Sequence, residues 1–154
     1  MPHSFIVTCR DINVGVFTDI GIACEHVVTH FSQCHAAFLE ANYDDEMLDN
    51  GGYPYHLKRR IRGGQGHLSN KQALELFTAH RPPFMSHLLL SHLSKNNNDP
   101  QLVQEIFDAC AAGVYVTVAS RYKESAVYQI GAVNSMENQQ HRIPASMVQQ
   151  PSLF

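Results

Sequence analysis

Two β-branched and aromatic runs, residues 4–8 and 14–18, flank the turn-forming residues Asp11, Asn13 and Gly15 and predict a hairpin. Asp19 stands at the C-terminal end of the second run, with Gly21 close behind. Between residues 22 and 31 the apolar positions Ala23, Val27, Val28 and Phe31 recur at helical spacing, so a helix is expected there. A short apolar strand follows at residues 36–41, running through Glu40 to Asn42. Residues 44–62 are polar and predict one or two short helices around Pro54, carrying Lys58, Arg59, Arg60 and Arg62. Gly63-Gly64-Gln65-Gly66 makes a loop into His67-Leu68-Ser69-Asn70, where Ser69 or Asn70 caps a helix with apolar positions Ala73, Leu74 and Phe77. Pro82-Pro83 stops that helix, and residues 87–90 read as a buried strand closing at Ser91-His92. After a polar turn at residues 94–98, Asp99-Pro100 opens a helix bearing Leu102, Val103, Ile106 and Phe107. Residues 114–119 and 126–130 predict two last strands, the second at a sheet edge. From Gly131 onward Asn, Gln, Ser, Met and Pro take over, which predicts a disordered tail over residues 131–154.

Strands alternating with helices predict an α/β fold, and 154 residues suit one domain. At 44% hydrophobic and 16% charged the chain has enough apolar mass to bury a core. A net charge of −3 excludes a generally basic nucleic-acid coat, though not a local basic patch. No apolar run approaches the ~18–20 residues of a membrane span, so no membrane partner is expected. The first residues lack the basic flank and apolar stretch of a secretory leader. The four cysteines, Cys9, Cys24, Cys34 and Cys110, form no Cys-x-x-Cys and read as buried thiols of a cytoplasmic protein. Ten histidines are the one unusual count.

Asp19, Glu40 and His92 each fall just past or at the C-terminal end of a predicted strand. In open α/β sheets that edge is where sites are built, and Asp and Glu are poor core residues unless paired. A turn or cap role for Asp19 and a satisfied buried histidine at position 92 remain the plain structural alternatives. His26 and His30 have the spacing of a helical metal pair but lack the intervening glutamate of His-Glu-x-x-His. Histidines 35, 56, 80, 87 and 141 carry no such pattern.

Five segments in order, Phe17-Thr-Asp-Ile-Gly21, Phe38-Leu-Glu-Ala-Asn-Tyr-Asp44, Tyr53-Pro-Tyr-His-Leu-Lys-Arg-Arg-Ile61, Gly66-His-Leu-Ser-Asn70 and Leu90-Ser-His-Leu-Ser-Lys-Asn-Asn97, resemble the metallo-β-lactamase-fold nucleases. The branch they resemble is the YycJ (WalJ)-type exonuclease-like family, with RNase Z as a more distant relative. The resemblance implies the C-terminal half of a four-layer αββα sandwich over residues 1–130, either as a fragment of a longer protein or as a truncated gene product. The family's His-x-His-x-Asp-His signature is not present in these residues. A chain with this half alone is expected to be catalytically incompetent and to self-associate through the sheet face meant for its other half.

By the same resemblance Asp19 is a metal-bridging aspartate and His92 a metal ligand, within a site for two divalent ions, zinc or manganese. Such a pair generates a nucleophile from water and neutralises charge on phosphoryl oxygens. Glu40 and His67 match a catalytic pair in which the carboxylate orients an imidazole that supports the scissile phosphate and protonates the leaving oxygen. Asn42 and Asp44 are expected on the rim, and Ser94, Asn96 and Asn97 behind His92. Arg59 and Arg60 stand out in the basic run, which is either a solvated helix face or a contact for the phosphates of nucleic acid, DNA before RNA. Small phosphodiesters or thioesters are the alternative substrates. The end of the tail, Gln150-Pro151-Ser152-Leu153-Phe154, resembles the peptides by which bacterial replication proteins bind the sliding clamp, with Gln150, Leu153 and Phe154 as contacts. A frayed terminus, or a non-enzymatic remnant that docks to the clamp, would share that ending.

Overall fold

The computed structural model describes residues 4–131. It comprises β1 (Phe5–Cys9), β2 (Ile12–Phe17), α1 (Glu25–Phe31), β3 (Ala36–Glu40), α2 (Asp45–Asn50), α3 (Tyr55–Arg62), α4 (Asn70–His80), β4 (His87–Ser91), α5 (Pro100–Asp108) and β5 (Tyr115–Val118). The strands form a single sheet in the order β1-β2-β3-β4-β5. The first pair is antiparallel and every later pair parallel. The α/β class read from the sequence is therefore the class that forms.

This order dictates the layering. Each parallel strand is added on the same side of its predecessor, and crossovers are right-handed for reasons of strand twist. Successive crossovers of one hand, all advancing in one direction, leave their helices on one face. Inward-facing Phe17, Ala37, Leu39, Leu88, Leu90 and Val116 accordingly pack with Val27 and Phe31 of α1, Leu76 and Phe77 of α4, and Val103 and Phe107 of α5. Phe31 meets Phe17 edge-on at 5.6 Å, and Phe77 meets Phe107 at 5.9 Å. Each fully buried Leu or Phe side chain among these contributes about 1.5–3 kcal/mol. One helix layer on one sheet is the arrangement that half of an αββα sandwich has.

The opposite face stays largely open along β1, where Phe5 and Val7 are 57% and 60% exposed. Toward β4 and β5 it is covered in part by Tyr128, whose ring lies 5.2 Å from His87 and 5.5 Å from Tyr115. That packing replaces the edge strand expected at residues 126–130, where Val127 makes only an isolated bridge. The alternation of that segment serves to place one aromatic ring against the sheet rather than to extend it.

Helix boundaries follow local chemistry. Ser69 and Gln72 form a reciprocal capping box at the start of α4. Asp99 accepts from the backbone N–H groups of Gln101 and Leu102, with Pro100 opening α5. The helix expected from residue 22 begins only at Glu25, because the preceding residues run irregularly past the glycine loop described below. Among the cysteines only Cys34 is buried, its thiol pushed up to about 11 by burial. Cys9 and Cys24 are exposed and Cys110 half-buried, which corrects the expectation of four buried thiols. None of the described helices is long and apolar enough to cross a membrane.

Candidate functional site

The parallel strands β2, β3 and β4 end side by side, and their C-terminal ends deliver Asp19, Glu40 and His92 to one edge of the sheet. Asp19 and His92 each leave their strand with φ of 58°, a left-handed conformation uncommon for residues other than glycine. Glu40 lies between them on the central strand, its side chain wholly buried. The fourth member, His67, arrives from the loop between α3 and α4.

Two glycines make that arrival feasible. A Cβ on Gly66 would stand 2.0 Å from the carbonyl oxygen of Ile61, and one on Gly21 would stand 2.5 Å from the backbone of Gly64. The loop bearing His67 therefore rests directly on the α3 terminus and on the segment that follows Asp19. His67 is fixed there by its backbone N–H, which donates to Ile61 O at 2.9 Å.

Glu40 joins the cluster through both its oxygens. Oε1 lies 2.7 Å from His67 Nδ1 and 2.8 Å from His92 Nδ1, while Oε2 accepts from the Ile20 N–H at 2.9 Å. A buried carboxylate demands such partners, and engaging both Nδ1 atoms leaves each imidazole its Nε2. The rings stand edge to face with centroids 5.1 Å apart. Hydrogen bonding to Glu40 is the main cause holding the His92 pKa above its ordinary value, opposed by partial burial. The charges of Glu40 and Asp19 add to the rise, and that of Arg121 subtracts from it.

Asp19 Oδ1 lies 3.7 Å from His92 Nδ1 and its side chain is 56% exposed, so it faces solvent rather than closing a tight ion pair. Donor atoms of Asp19, His67 and His92 lie within 4.8 Å of one another. This is the one group of three such residues among those described. Three protein donors with an open side fit the donor set of a catalytic divalent cation. The Oγ of Ser91, cross-strand partner of Glu40, is the one buried side-chain oxygen or nitrogen without a hydrogen-bond partner among the described residues.

The remaining expected residues divide by what they touch. Asn42 donates from Nδ2 to His92 O at 2.7 Å, and its own carbonyl accepts from Ser94 N at 2.7 Å, so it clamps the turn carrying His92. Ser94 Oγ accepts from Asn97 N at 3.3 Å within the same turn. Asn97 in turn accepts at its carbonyl from Asp44 N at 2.8 Å. The Asp44 carboxylate caps α2 by accepting from Met47 N at 3.0 Å. Asn96 Nδ2 reaches the Tyr53 hydroxyl at 3.2 Å.

Arg60 lines a cleft of about 490 Å³ that opens beside His67 and His92, whereas Arg59, one position along α3, is exposed away from it. Arg62 is occupied by Asp49 at 2.7 Å and Asp45 at 3.8 Å. Sequence reasoning missed Tyr53, Lys95 and Arg121, all of which line that cleft. Arg121 follows β5 as His92 follows β4, so the strand-end rule applied to the last strand was the available signal. Gln150, Leu153 and Phe154 lie outside the described residues.

No family model matches the chain. Among curated proteins, exodeoxyribonuclease WalJ of two Streptococcus pneumoniae strains is 33% identical over 101 residues, and exodeoxyribonuclease YycJ of Bacillus anthracis is 32% identical over 91 residues. The matched stretch takes up 66% of this chain but 38% of the pneumococcal proteins, and 59% against 34% for the Bacillus protein. The chain thus spans well under half the length of the curated relatives it matches, and over that part it is similar to the YycJ (WalJ)-type exonucleases.

Proposed function

We propose that this chain carries one half of a metal-dependent phosphodiesterase site that acts on nucleic acid, with DNA the preferred substrate. The observation behind this reading is the sharing of one Glu40 oxygen between His67 and His92, with Asp19 opposite and a cation-lined cleft alongside. A structural role alone does not call for four ionisable groups around one strand end that keeps an open side. The names of the relatives point the same way.

In this reading Asp19 and His92 hold divalent metal, which supplies Lewis-acid polarisation and charge neutralisation at the phosphoryl group. Glu40 is a positioning residue that fixes the tautomer and orientation of both imidazoles. His67, with Nδ1 engaged by Glu40, presents Nε2 to the leaving oxygen and delivers its proton there. Asn42 fixes the backbone of His92, and Arg60 meets the substrate backbone. Two protein donors are too few for two ions, so hydrolysis needs further ligands, and the isolated chain is expected to be inactive. Gln150, Leu153 and Phe154 are proposed as the sliding-clamp contacts, and the open β1–β2 face as the route to self-association.

The test joins the chain to a half carrying the His-x-His-x-Asp-His motif and assays hydrolysis of an end-labelled DNA strand with zinc or manganese. Activity in the joined protein, lost in His67→Gln with metal affinity retained, supports the reading. Loss of metal affinity in His67→Gln would instead make His67 a ligand. A joined protein that binds metal and hydrolyses small phosphodiesters but not DNA would transfer the site to that substrate class, and one that hydrolyses neither would refute the assignment.

A further inference from the structure

A second cleft, of about 570 Å³, lies across the His92–Lys95 turn from the first. The two share His92, Leu93, Ser94, Lys95 and Arg121 as a common wall. That wall is tied to the segment after β5 by Arg121 Nη2, which donates to the carbonyl of Leu93, and just ahead of the turn Ala119 N donates to Leu90 O of β4 at 2.8 Å. The turn therefore forms a fixed ridge with a hollow on each side and His92 at its start.

The hollows are matched in chemistry. Tyr53 lines the first, its hydroxyl held by Asn96, and Tyr122 lines the second while remaining 76% exposed. An exposed aromatic ring with no packing duty is a ready platform for a flat partner. Arg60 adds a cation to the first hollow, and Lys95 and Arg121 serve both. No carboxylate is among the residues lining either hollow, although the whole chain carries a net charge of −3. Each volume is in the range of about 300–1,000 Å³ that accommodates a small organic group such as a nucleotide.

We infer that the His92–Lys95 ridge is a saddle for one polynucleotide strand, with flanking nucleotides seated in the two clefts against Tyr53 and Tyr122 and the intervening backbone phosphate on Arg121. This deepens the nucleic-acid reading above and rests on it. It assigns Tyr53 and Tyr122 to base stacking, Arg121 and Lys95 to the backbone, and it makes the recognition sequence-tolerant, because every base has a stacking face. An acidic peptide would satisfy the cations but leave the two rings unused.

The experiment compares binding of the full chain, without metal, to a short single-stranded DNA and to an abasic strand of equal length and charge, by fluorescence anisotropy. The wild type should prefer the base-bearing strand by about tenfold or more, and Tyr53→Leu and Tyr122→Leu should each reduce that preference about fivefold or more. Tyr122→Phe should keep it. Arg121→Gln should weaken both strands alike and lower the salt slope by about one. Equal affinity of the wild type for the two strands, or a preference that survives both Leu substitutions, overturns the saddle and leaves the nucleic-acid reading standing. Failure of the wild type to bind either strand removes both.

Discussion

Glu40→Gln removes one charge from the centre of the site while keeping its shape, and its cost can be worked from three contacts. The carboxylate receives the Nδ1 sides of His67 and His92 on Oε1 and the Ile20 N–H on Oε2. An amide has a single acceptor oxygen. Turned toward the histidines, it sets its NH2 against the Ile20 N–H and leaves that donor unpaired, at about 1–3 kcal/mol. The two histidine bonds also fall from charge-assisted to neutral, about 1 kcal/mol each. Relief of the desolvation of a buried carboxylate offsets part of this, so the net loss is about 2–4 kcal/mol by urea denaturation. The loss depends on pH with a definite sign. Glu40 raises the folded-state pKa of His92, so their pairing is fully present below the unfolded histidine value near 6.5 and is lost as pH rises through the folded value. The substitution is therefore more costly between about pH 5 and 6.5 than at about pH 8.5. The difference stays below about 1 kcal/mol because solvent screens His92, whose side chain is 41% exposed. A total loss under about 0.5 kcal/mol, or a larger loss on the alkaline side, would refute the shared-oxygen account.

Gly66→Ala should destabilise the fold by about 1–3 kcal/mol, since its Cβ would meet the Ile61 carbonyl oxygen at 2.0 Å, and an unchanged thermal midpoint would contradict the close loop packing. Histidine NMR titration should find His92 above and His87 below the usual value, the latter because burial disfavours its charge. The stability linked to neutral His87 is present above the unfolded value and lost as pH falls through the folded one, so the two histidines oppose each other in bulk melts and only residue-resolved signals test them. Zinc should raise the melting temperature of the chain by mass action, and the rise should vanish in Asp19→Asn/His92→Ala; a rise that persists would move the metal elsewhere. Asp19→Gly should be more stable than Asp19→Ala by about 1 kcal/mol, since only glycine is free of the left-handed penalty; equal stabilities would refute strain at this φ of 58°.

The α/β class, the hairpin, the three strands that follow it and both strongly capped helices were legible because each is written locally, in period, cap and proline position. Asp19, Glu40 and His92 were legible as strand-end residues for the same reason, before any family likeness was invoked. His67 was different. Its approach to Glu40 spans 27 positions and depends on Gly21 and Gly66 allowing two backbones to touch, which a single sequence does not reveal. Arg121 depends on β4 and β5 being neighbours, so that its guanidinium reaches the Leu93 carbonyl. The segment 126–130 misled because strand alternation and the placement of one aromatic ring share the same local pattern. The cysteines misled because composition says nothing about which thiols lie at a hairpin end, where Cys9 sits, or ahead of a helix, where Cys24 sits.

The energetics of the site argue against a purely structural origin for it. Two non-glycine residues in left-handed conformations stand at the ends of β2 and β4, on either side of a fully buried carboxylate at the end of β3, and backbone of that kind costs about 1–3 kcal/mol per residue. A fold selected for stability alone would put glycine at both positions and an apolar residue at Glu40, since hydrophobic replacement of a buried ionic group is often neutral or stabilising. Asp19 gives little in return, being more than half exposed and 3.7 Å from its nearest ionic partner. The left-handed turn does, however, place its carboxylate within 4.8 Å of donor atoms on both histidines. The strain makes sense where convergence of donors, rather than packing, is what the strand ends supply.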